Sequence, residues 1–178
     1  MSNTSKTALS AMAVALGTVF MLLSSSIPFF EYAVPAAAGF IVLFVESEVG
    51  KTWSFGTYVA TSILGVFLVP NKEAVGIYIA LFGLYPVIRS FFDKLPKIAS
   101  YIAKCVYFVA AVLLAYFVMI KIFGIAQEMT EELNKITMPI LMVCGLIAFI
   151  VYDRAMFLTE KKYKIRYHKY IEKLFRRR

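Results

Sequence analysis

The stretch VPNKEAVGIYIALFGLYP, residues 69–86, places three strongly polar residues between two apolar runs. Asn71, Lys72 and Glu73 interrupt a pattern that is otherwise almost free of polar side chains. The dipeptide Pro70-Asn71 is typical of a turn in which the asparagine caps the helix that follows. The stretch therefore predicts two apolar helices joined by a tight polar turn, and the rest of the chain indicates which solvent those helices face.

Apolar residues dominate the whole chain. Of its 178 residues, 61% are hydrophobic, 16% are aromatic and 17% are charged. A soluble domain has about 45–50% apolar and about 25% charged residues. One globular core cannot hide the excess, so the composition predicts an integral membrane protein.

The apolar residues fall into segments of membrane-spanning length. A helix needs about 20 mostly apolar residues to cross the hydrocarbon layer. Proline residues stand at or near the breaks between segments, but Pro86 falls inside the fourth and predicts a kink or a loosened turn there. We predict an all-α domain over residues 1–158 with six spans: Thr7–Ile27, Val34–Val49, Trp53–Val69, Ala74–Phe92, Ala99–Gly124 and Ile136–Leu158.

The distribution of Lys and Arg predicts the orientation of these spans. With the N-terminus inside, sixteen of the nineteen basic residues lie on the inner side, and only Lys72, Lys121 and Lys135 lie on the outer side. This asymmetry requires an even number of spans and predicts a multi-pass protein of the plasma membrane with both termini cytoplasmic. A cleaved signal peptide at the first segment would leave five spans and contradict the charge pattern.

The last segment, residues 159–178, is basic and has helical periodicity. Tyr163, Tyr167, Tyr170 and Leu174 fall on one face, and basic residues occupy most of the others. Two interpretations remain open. The segment is either an amphipathic helix on the inner surface, with anionic lipid as its partner, or a cytoplasmic extension of the sixth helix.

Residues suited to catalysis or metal binding are scarce. The single histidine, His168, lies in the basic tail, so general acid–base chemistry lacks its usual groups in the membrane. Cys105 and Cys144 lie in apolar runs toward opposite sides of the predicted topology, which argues against a disulfide. We expect no enzymatic activity, no cofactor, no metal and no nucleic-acid partner.

Acidic residues mark the inner ends of several predicted spans. Glu46 and Glu48 end the second span near Lys51, Asp93 follows the fourth, and Asp153 lies near the end of the sixth. We expect these charges to pair locally, although contact with a partner subunit is an alternative.

Small residues form a stripe along the first segment, at spacings of three and four. The stripe consists of Ala8, Ala11, Ala15 and Thr18. Such a stripe lets another helix approach closely in lipid. From physics alone, packing inside the chain's own bundle is favoured over contact with another subunit.

These features together resemble a family. A basic N-terminus, an Ala-x-x-x-Ala motif at Ala11 and Ala15, and six spans in 20.1 kDa resemble the substrate-binding S components of energy-coupling factor (ECF) transporters. The resemblance implies that the small stripe docks onto a transmembrane T component, that two ATPases supply the power, and that the S component topples to deliver a small solute. The alternative is a non-transporting scaffold subunit, since the cell-shape family represented by MreD resembles the same fold.

The resemblance also implies a cargo site at the outer face, beneath the first outer loop and beside the turns after spans three and five. Alternatives remain for these positions: a polar turn is solvated in any case, Glu31 can pair with Lys72, Lys121 can extend to the headgroups, and Tyr78 can pack in the core. The candidate substrate-binding residues are Glu31, Tyr32, Asn71, Lys72, Glu73, Tyr78, Lys121 and Gln127.

Overall fold

The chain folds into a bundle of helices. The computed structural model describes residues 2–25, 31–123 and 137–166, and every regular element in these ranges is helical. The elements are α1 (Asn3–Leu23), α2 (Ala33–Val49), α3 (Lys51–Leu68), α4 (Lys72–Ile77), a π-helix (Tyr78–Phe82), α5 (Tyr85–Phe92), α6 (Lys97–Phe123) and α7 (Thr137–Arg166). Helices lie at all six predicted segments, and the fourth segment is built from α4, the π-helix and α5.

Four of these helical units are long and apolar enough to cross a membrane. They are Asn3–Leu23, Lys72–Phe92, Lys97–Ala115 and Met142–Tyr163. Of the other two predicted spans, α2 has only 17 residues and α3 carries hydroxyl groups along its length. The chain therefore has the character of a membrane protein.

Helix α2 lies at the centre of the bundle, where it contacts α1, α3, α4, the π-helix, α5 and α7. Its sequence AVPAAAGF explains this position, because alanine and glycine let neighbouring backbones approach. The approach is closest at Gly39, where a Cβ would lie 2.6 Å from the carbonyl oxygen of Phe82. A larger residue at this point would force the π-helix away from α2.

The interior face of α3 is small and polar. Ser54, Thr57, Thr61 and Ser62 are all buried. Two of the hydroxyls donate to carbonyls one turn back in α3, at 2.9 Å for Thr57 and 2.7 Å for Ser62, and Ser54 donates to Val42 O of α2 at 3.1 Å. Because these groups are satisfied inside the bundle, the low hydropathy of α3 does not expose polar surface.

The predicted disturbance near Pro86 is confirmed as a π-helical turn followed by a new helix. Gly83 N donates to Tyr78 O at 2.7 Å, the five-residue spacing of a π-turn. Pro86 has no N–H to offer Phe82 O, and it stands in the first turn of α5, where proline is tolerated. The tight approach of Gly39 is to this same Phe82 carbonyl.

Tyrosine hydroxyls from two other helices satisfy the carbonyls of the disturbed turn. Tyr58 of α3 donates to Ile79 O at 3.0 Å. Tyr107 of α6 donates to Ala80 O at 3.0 Å and to Leu81 O at 3.1 Å. Irregular backbone in an apolar setting is stable only where its polar groups have such partners. The tyrosine hydroxyls therefore stabilise the break in the fourth segment.

The bundle has two ends that differ in chemistry. At one end, here the turn end, Ser25 and Glu31 meet the Asn71–Glu73 turn. At the other, the charged end, residues of α2, α5, α6 and α7 bring together Glu46, Arg89, Asp93, Lys104, Asp153 and Glu160. The α3 helix separates the two ends by 18 residues, or about 27 Å at 1.5 Å per residue.

Helix α7 continues without a break past residue 158 to Arg166, and residues 167–178 of the tail lie outside the described residues.

Candidate functional site

Asn71 organises the turn end. Its side-chain oxygen accepts from Ala74 N at 3.0 Å, which confirms the predicted helix cap. Its Nδ2 donates to Glu31 Oε1 at 2.6 Å, and its backbone N–H donates to Ser25 Oγ at 3.3 Å. Asn71 thus joins the chain after α1, the start of α2 and the start of α4.

Lys72 does not pair with Glu31, the alternative that the sequence left open. Its Nζ donates to Val66 O and to Val69 O, both at 2.8 Å. The last carbonyls of a helix have no partner within it and carry the negative end of its dipole. Lys72 therefore caps α3 from the following turn, and Asn71 occupies the position beside Glu31.

Two further candidates at the turn end are exposed. Tyr32 and Glu73 both face outward. The pKa of the Tyr32 hydroxyl is raised by partial burial and then by the nearby carboxylates of Glu31 and Glu73. The structure thus brings five of the predicted substrate-binding residues, Glu31, Tyr32, Asn71, Lys72 and Glu73, to one end of the bundle.

Of the three remaining candidates, the structure describes the side chain of one, Tyr78. Tyr78 is only 1% exposed and packs in the core with Met21, Val42 and Val75. Lys121 lies in the last turn of α6, but its side chain is outside the described residues, as is the whole of Gln127.

The stripe of small residues on α1 divides between two faces. Ala8, Ala11 and Ala15 are exposed, whereas Thr18 is buried and donates to Val14 O at 2.9 Å. Packing of the alanines inside the bundle, the interpretation that physics alone favoured, is not observed. A different seam faces α2 and α3, formed by Ser10, Ala13 and Gly17.

Gly17 shows how close that inner seam is. A Cβ at Gly17 would lie 3.2 Å from Cγ2 of Thr61 on α3. This distance is tighter than most contacts made by a Cβ, so a residue larger than glycine would have to displace Thr61. The alanines at positions 8, 11 and 15 are exposed instead. Helix α1 therefore has one small seam for its own bundle and a second small face that the bundle leaves open.

The charged end holds an ion-pair network that includes Asp93 and Asp153, two of the acidic residues expected to pair locally. Both pair within the chain, but Asp153 pairs with cations of other helices, and Arg89 and Lys104 were not part of that expectation. Arg89 is 2% exposed and lies against three carboxylates, those of Asp93 at 3.4 Å, Asp153 at 3.2 Å and Glu160 at 3.0 Å. Lys104 bonds Asp93 at 2.8 Å and Asp153 at 3.0 Å. Arg89, Asp153, Lys104 and Asp93 thus form a closed ring of alternating charges that ties α5, α6 and α7 together.

Two tyrosines bond carboxylates at the charged end, and one of them connects the ion-pair network to the core. Tyr85, fully buried, donates to Asp153. Tyr163 donates to Glu48, which links α7 to the end of α2. A signal for this network was present in the sequence, because Arg89, Lys104 and Asp153 all fall inside predicted spans and have opposite signs. Charges within spans seldom remain unpaired.

A cavity of about 410 Å³ opens beside this network. Leu43, Pro86 and Arg89 form its buried floor, and Glu46 and Ser90 its walls. Its exposed rim carries both signs of charge, on Lys51, Asp93 and Lys94. In the part of the chain that the structure describes, no group of His, Cys, Asp and Glu is placed to hold a metal ion. Both cysteines are free thiols.

Comparison with known proteins adds no relative: no family model, no curated protein and no solved structure matches the chain.

Proposed function

We propose that the chain is a six-span membrane subunit that docks onto a partner through α1, as the solute-binding S component of an ECF-type importer. The observation that carries the proposal is the exposed alanine face of α1, formed by Ala8, Ala11 and Ala15. Association in lipid depends on close van der Waals packing, and small side chains permit it. A T component would supply the partner helix, and two ATPases would drive uptake.

The surroundings of the alanine face support docking. Met12 and Leu16 are 70% and 50% exposed along one side of it, so the small residues form a low surface bordered by larger apolar side chains. A partner helix with complementary ridges would fit there. Because the inner seam of Ser10, Ala13 and Gly17 already attaches α1 to the bundle, docking would not compete with folding.

The proposed topology puts all six helical units across the membrane with the charged end inside. The short α2 and the hydroxyl-bearing α3 would cross as interior members, since their polar groups are satisfied within the bundle. The excess of Lys and Arg at the charged end and in the tail supports a cytoplasmic position. Anionic lipid would then bind the basic tail.

Solute would be captured at the turn end, which is the outer face in this topology. Glu31, Tyr32 and Glu73 offer two carboxylates and a hydroxyl near one another. Asn71 and Lys72 already bond protein groups, so a solute that used them would have to replace those bonds. Handover would follow when the docked subunit topples.

A scaffold subunit of the MreD-like kind is the second candidate, and one observation favours it. The amide of Asn71 and the ammonium of Lys72 are satisfied by Glu31 and by α3 carbonyls, as in a turn built for stability. A scaffold would use the same α1 face to bind its partner.

The test is purification of the tagged full-length chain from its native membrane, with the bound proteins identified by mass spectrometry. We expect two ATPases and a second multi-span protein. The double variant Ala11→Leu/Ala15→Leu should lose them, because the larger side chains prevent close approach of a partner helix. The matched control is Ala110→Leu, which enlarges an exposed alanine of α6.

Each alternative has its own outcome. Partners without an ATPase would favour the scaffold. Partners retained by the double variant would contradict docking through α1. Gly17→Leu reports on folding, since it collides with Thr61 and should lower the yield of folded protein where the alanine variants do not.

A further inference from the structure

Helix α7 carries a cation on the face that is turned away from the bundle. Arg154 is exposed, whereas Asp153 beside it is buried in the ion-pair network. Successive helical residues point about 100° apart, so Asp153 faces the bundle while Arg154 faces away from it. Within the part of the chain that the structure describes, Arg154 forms no ion pair.

The surroundings of Arg154 on this face are apolar. Residues three and four positions away are neighbours on a helix surface. At those positions stand Ile150, Val151, Phe157 and Leu158, exposed by 42%, 63%, 45% and 55%. No carboxylate stands among these four neighbours, so the anion that pairs with the guanidinium comes from elsewhere.

Arg154 also lies too deep along the helix for water to be its only partner. Tyr163 of α7 donates to Glu48, which lies two residues before the turn between α2 and α3, so Tyr163 is at the level of that turn. Arg154 precedes Tyr163 by nine residues, or about 13 Å along the axis. The headgroup layer is only about 5–8 Å thick on each side of a bilayer. With the turn at the membrane surface, the Arg154 backbone lies in the hydrocarbon layer, where a charge needs a partner.

A second exposed cation lies on the same face, nearer the charged end. Lys161 follows Arg154 by seven residues, which is two helical turns, and it too forms no ion pair with a described residue. The Cα–Cβ bond of a helical residue tilts toward the N-terminus of the helix, so the side chain of Lys161 starts toward Arg154. Leu158 lies between them on this face. The two cations can therefore share one anion that lies against an apolar surface.

We propose that this face of α7 binds an anionic phospholipid in the leaflet at the charged end. Its phosphate would accept from the Arg154 guanidinium, which binds phosphate oxygens in pairs, and from the Lys161 ammonium. Its acyl chains would lie along Ile147 and Val151, exposed by 58% and 63%. Lipid is the source of the anion because the tail, residues 167–178, is itself basic. The site lies on the span and not in that tail, and the proposal does not depend on whether the chain takes up a solute.

The test is tryptophan fluorescence of the full-length chain in vesicles of equal parts phosphatidylglycerol and phosphatidylcholine. One lipid at a time carries brominated acyl chains, which quench a tryptophan that they touch. Trp53 is the single tryptophan of the sequence, so Trp53→Phe/Val151→Trp places one reporter beside the proposed lipid. Quenching by the two brominated lipids then gives the ratio of their affinities at this position.

We expect phosphatidylglycerol to be preferred at the reporter by about tenfold, the value of one hydrogen bond to a charged group. Phosphatidylcholine has the same phosphate, but its own quaternary ammonium cancels the charge. Arg154→Gln should abolish the preference, and Lys161→Gln should reduce it. Arg154→Lys should keep part of it, because the charge remains while the paired contact is lost.

Matched controls separate the site from a general attraction of anionic lipid to the chain. Arg154→Gln leaves every charge of the tail in place. Lys97→Gln removes another exposed lysine at the charged end and should keep the preference. A reporter at Ile63→Trp, exposed by 53% in a stretch of α3 without charged residues, should show none.

Three results would overturn the proposal. The first is equal quenching by the two lipids at the Val151→Trp reporter, which would leave Arg154 to an acidic residue of a partner protein. The second is a full preference in Arg154→Gln. The third is the same preference at Ile63→Trp, which would show that anionic lipid gathers around the whole bundle.

Discussion

Arg89 shows at the scale of one residue how a buried charge is tolerated in an apolar bundle. Desolvation of a guanidinium is costly unless carboxylates surround it, and Asp93, Asp153 and Glu160 do so. Lys104 then offsets the excess negative charge at Asp153 and Asp93. Arg89 also packs against the Phe157 ring, with its guanidinium carbon 5.8 Å from the ring centroid.

Removal of this one cation should destabilise the bundle strongly. In Arg89→Met, Asp153 and Glu160 lose a buried partner, and we expect a loss of about 3–5 kcal/mol, typical of a broken buried pair. The measurement is thermal unfolding in detergent. Arg154→Met removes an exposed arginine next to the same aspartate and should change the midpoint little. Adding Asp153→Asn to Arg89→Met should recover part of the loss, and a purely additive result would contradict the direct coupling.

At the scale of the elements, sequence patterns predicted the features that depend on neighbouring residues but not those that depend on packing between helices. The lengths of the apolar runs and the prolines near their ends predicted the helices, and Pro70-Asn71 predicted the cap of α4, because these depend on local chemistry. The direction in which the α1 alanines face could not be predicted, since Ala11 and Gly17 are both small and only packing against α2 and α3 decides which seam is buried. The ring of Arg89, Lys104, Asp93 and Asp153 also depends on helices distant in sequence.

The π-helix is the element most dependent on its neighbours, and Gly39 is its narrowest contact. In Gly39→Ala the new Cβ would meet the Phe82 carbonyl at 2.6 Å and also the Tyr152 hydroxyl. A backbone atom cannot move aside cheaply, so we expect a loss of about 1–3 kcal/mol, as for other overpacked cores. Thermal unfolding in detergent measures it. Gly56→Ala is the matched control, because a Cβ there meets nothing within 4 Å; an equal loss in both would contradict the proposed close contact.

At the scale of the whole molecule, the two ends of the bundle differ in the kind of polar interaction that holds them. The turn end is held by hydrogen bonds around Asn71, in which at most one partner is charged. The charged end instead holds the ion pairs and the cavity of about 410 Å³. Between them, α2 packs against most of the other helices and so contacts elements from both ends. Which end faces the cytoplasm determines whether solute capture at the turn end is possible.

We predict that the charged end is cytoplasmic, because basic residues concentrate there and in the tail. In a background of Cys105→Ser/Cys144→Ser, single cysteines replace Glu73 at the turn end and Lys97 at the charged end, both exposed positions. A membrane-impermeant maleimide should label Glu73→Cys in intact cells and Lys97→Cys only after permeabilisation. Labelling of both in intact cells would mean that fewer helices cross than proposed, and the reverse pattern would place the Asn71 turn inside, where it could not capture an external solute.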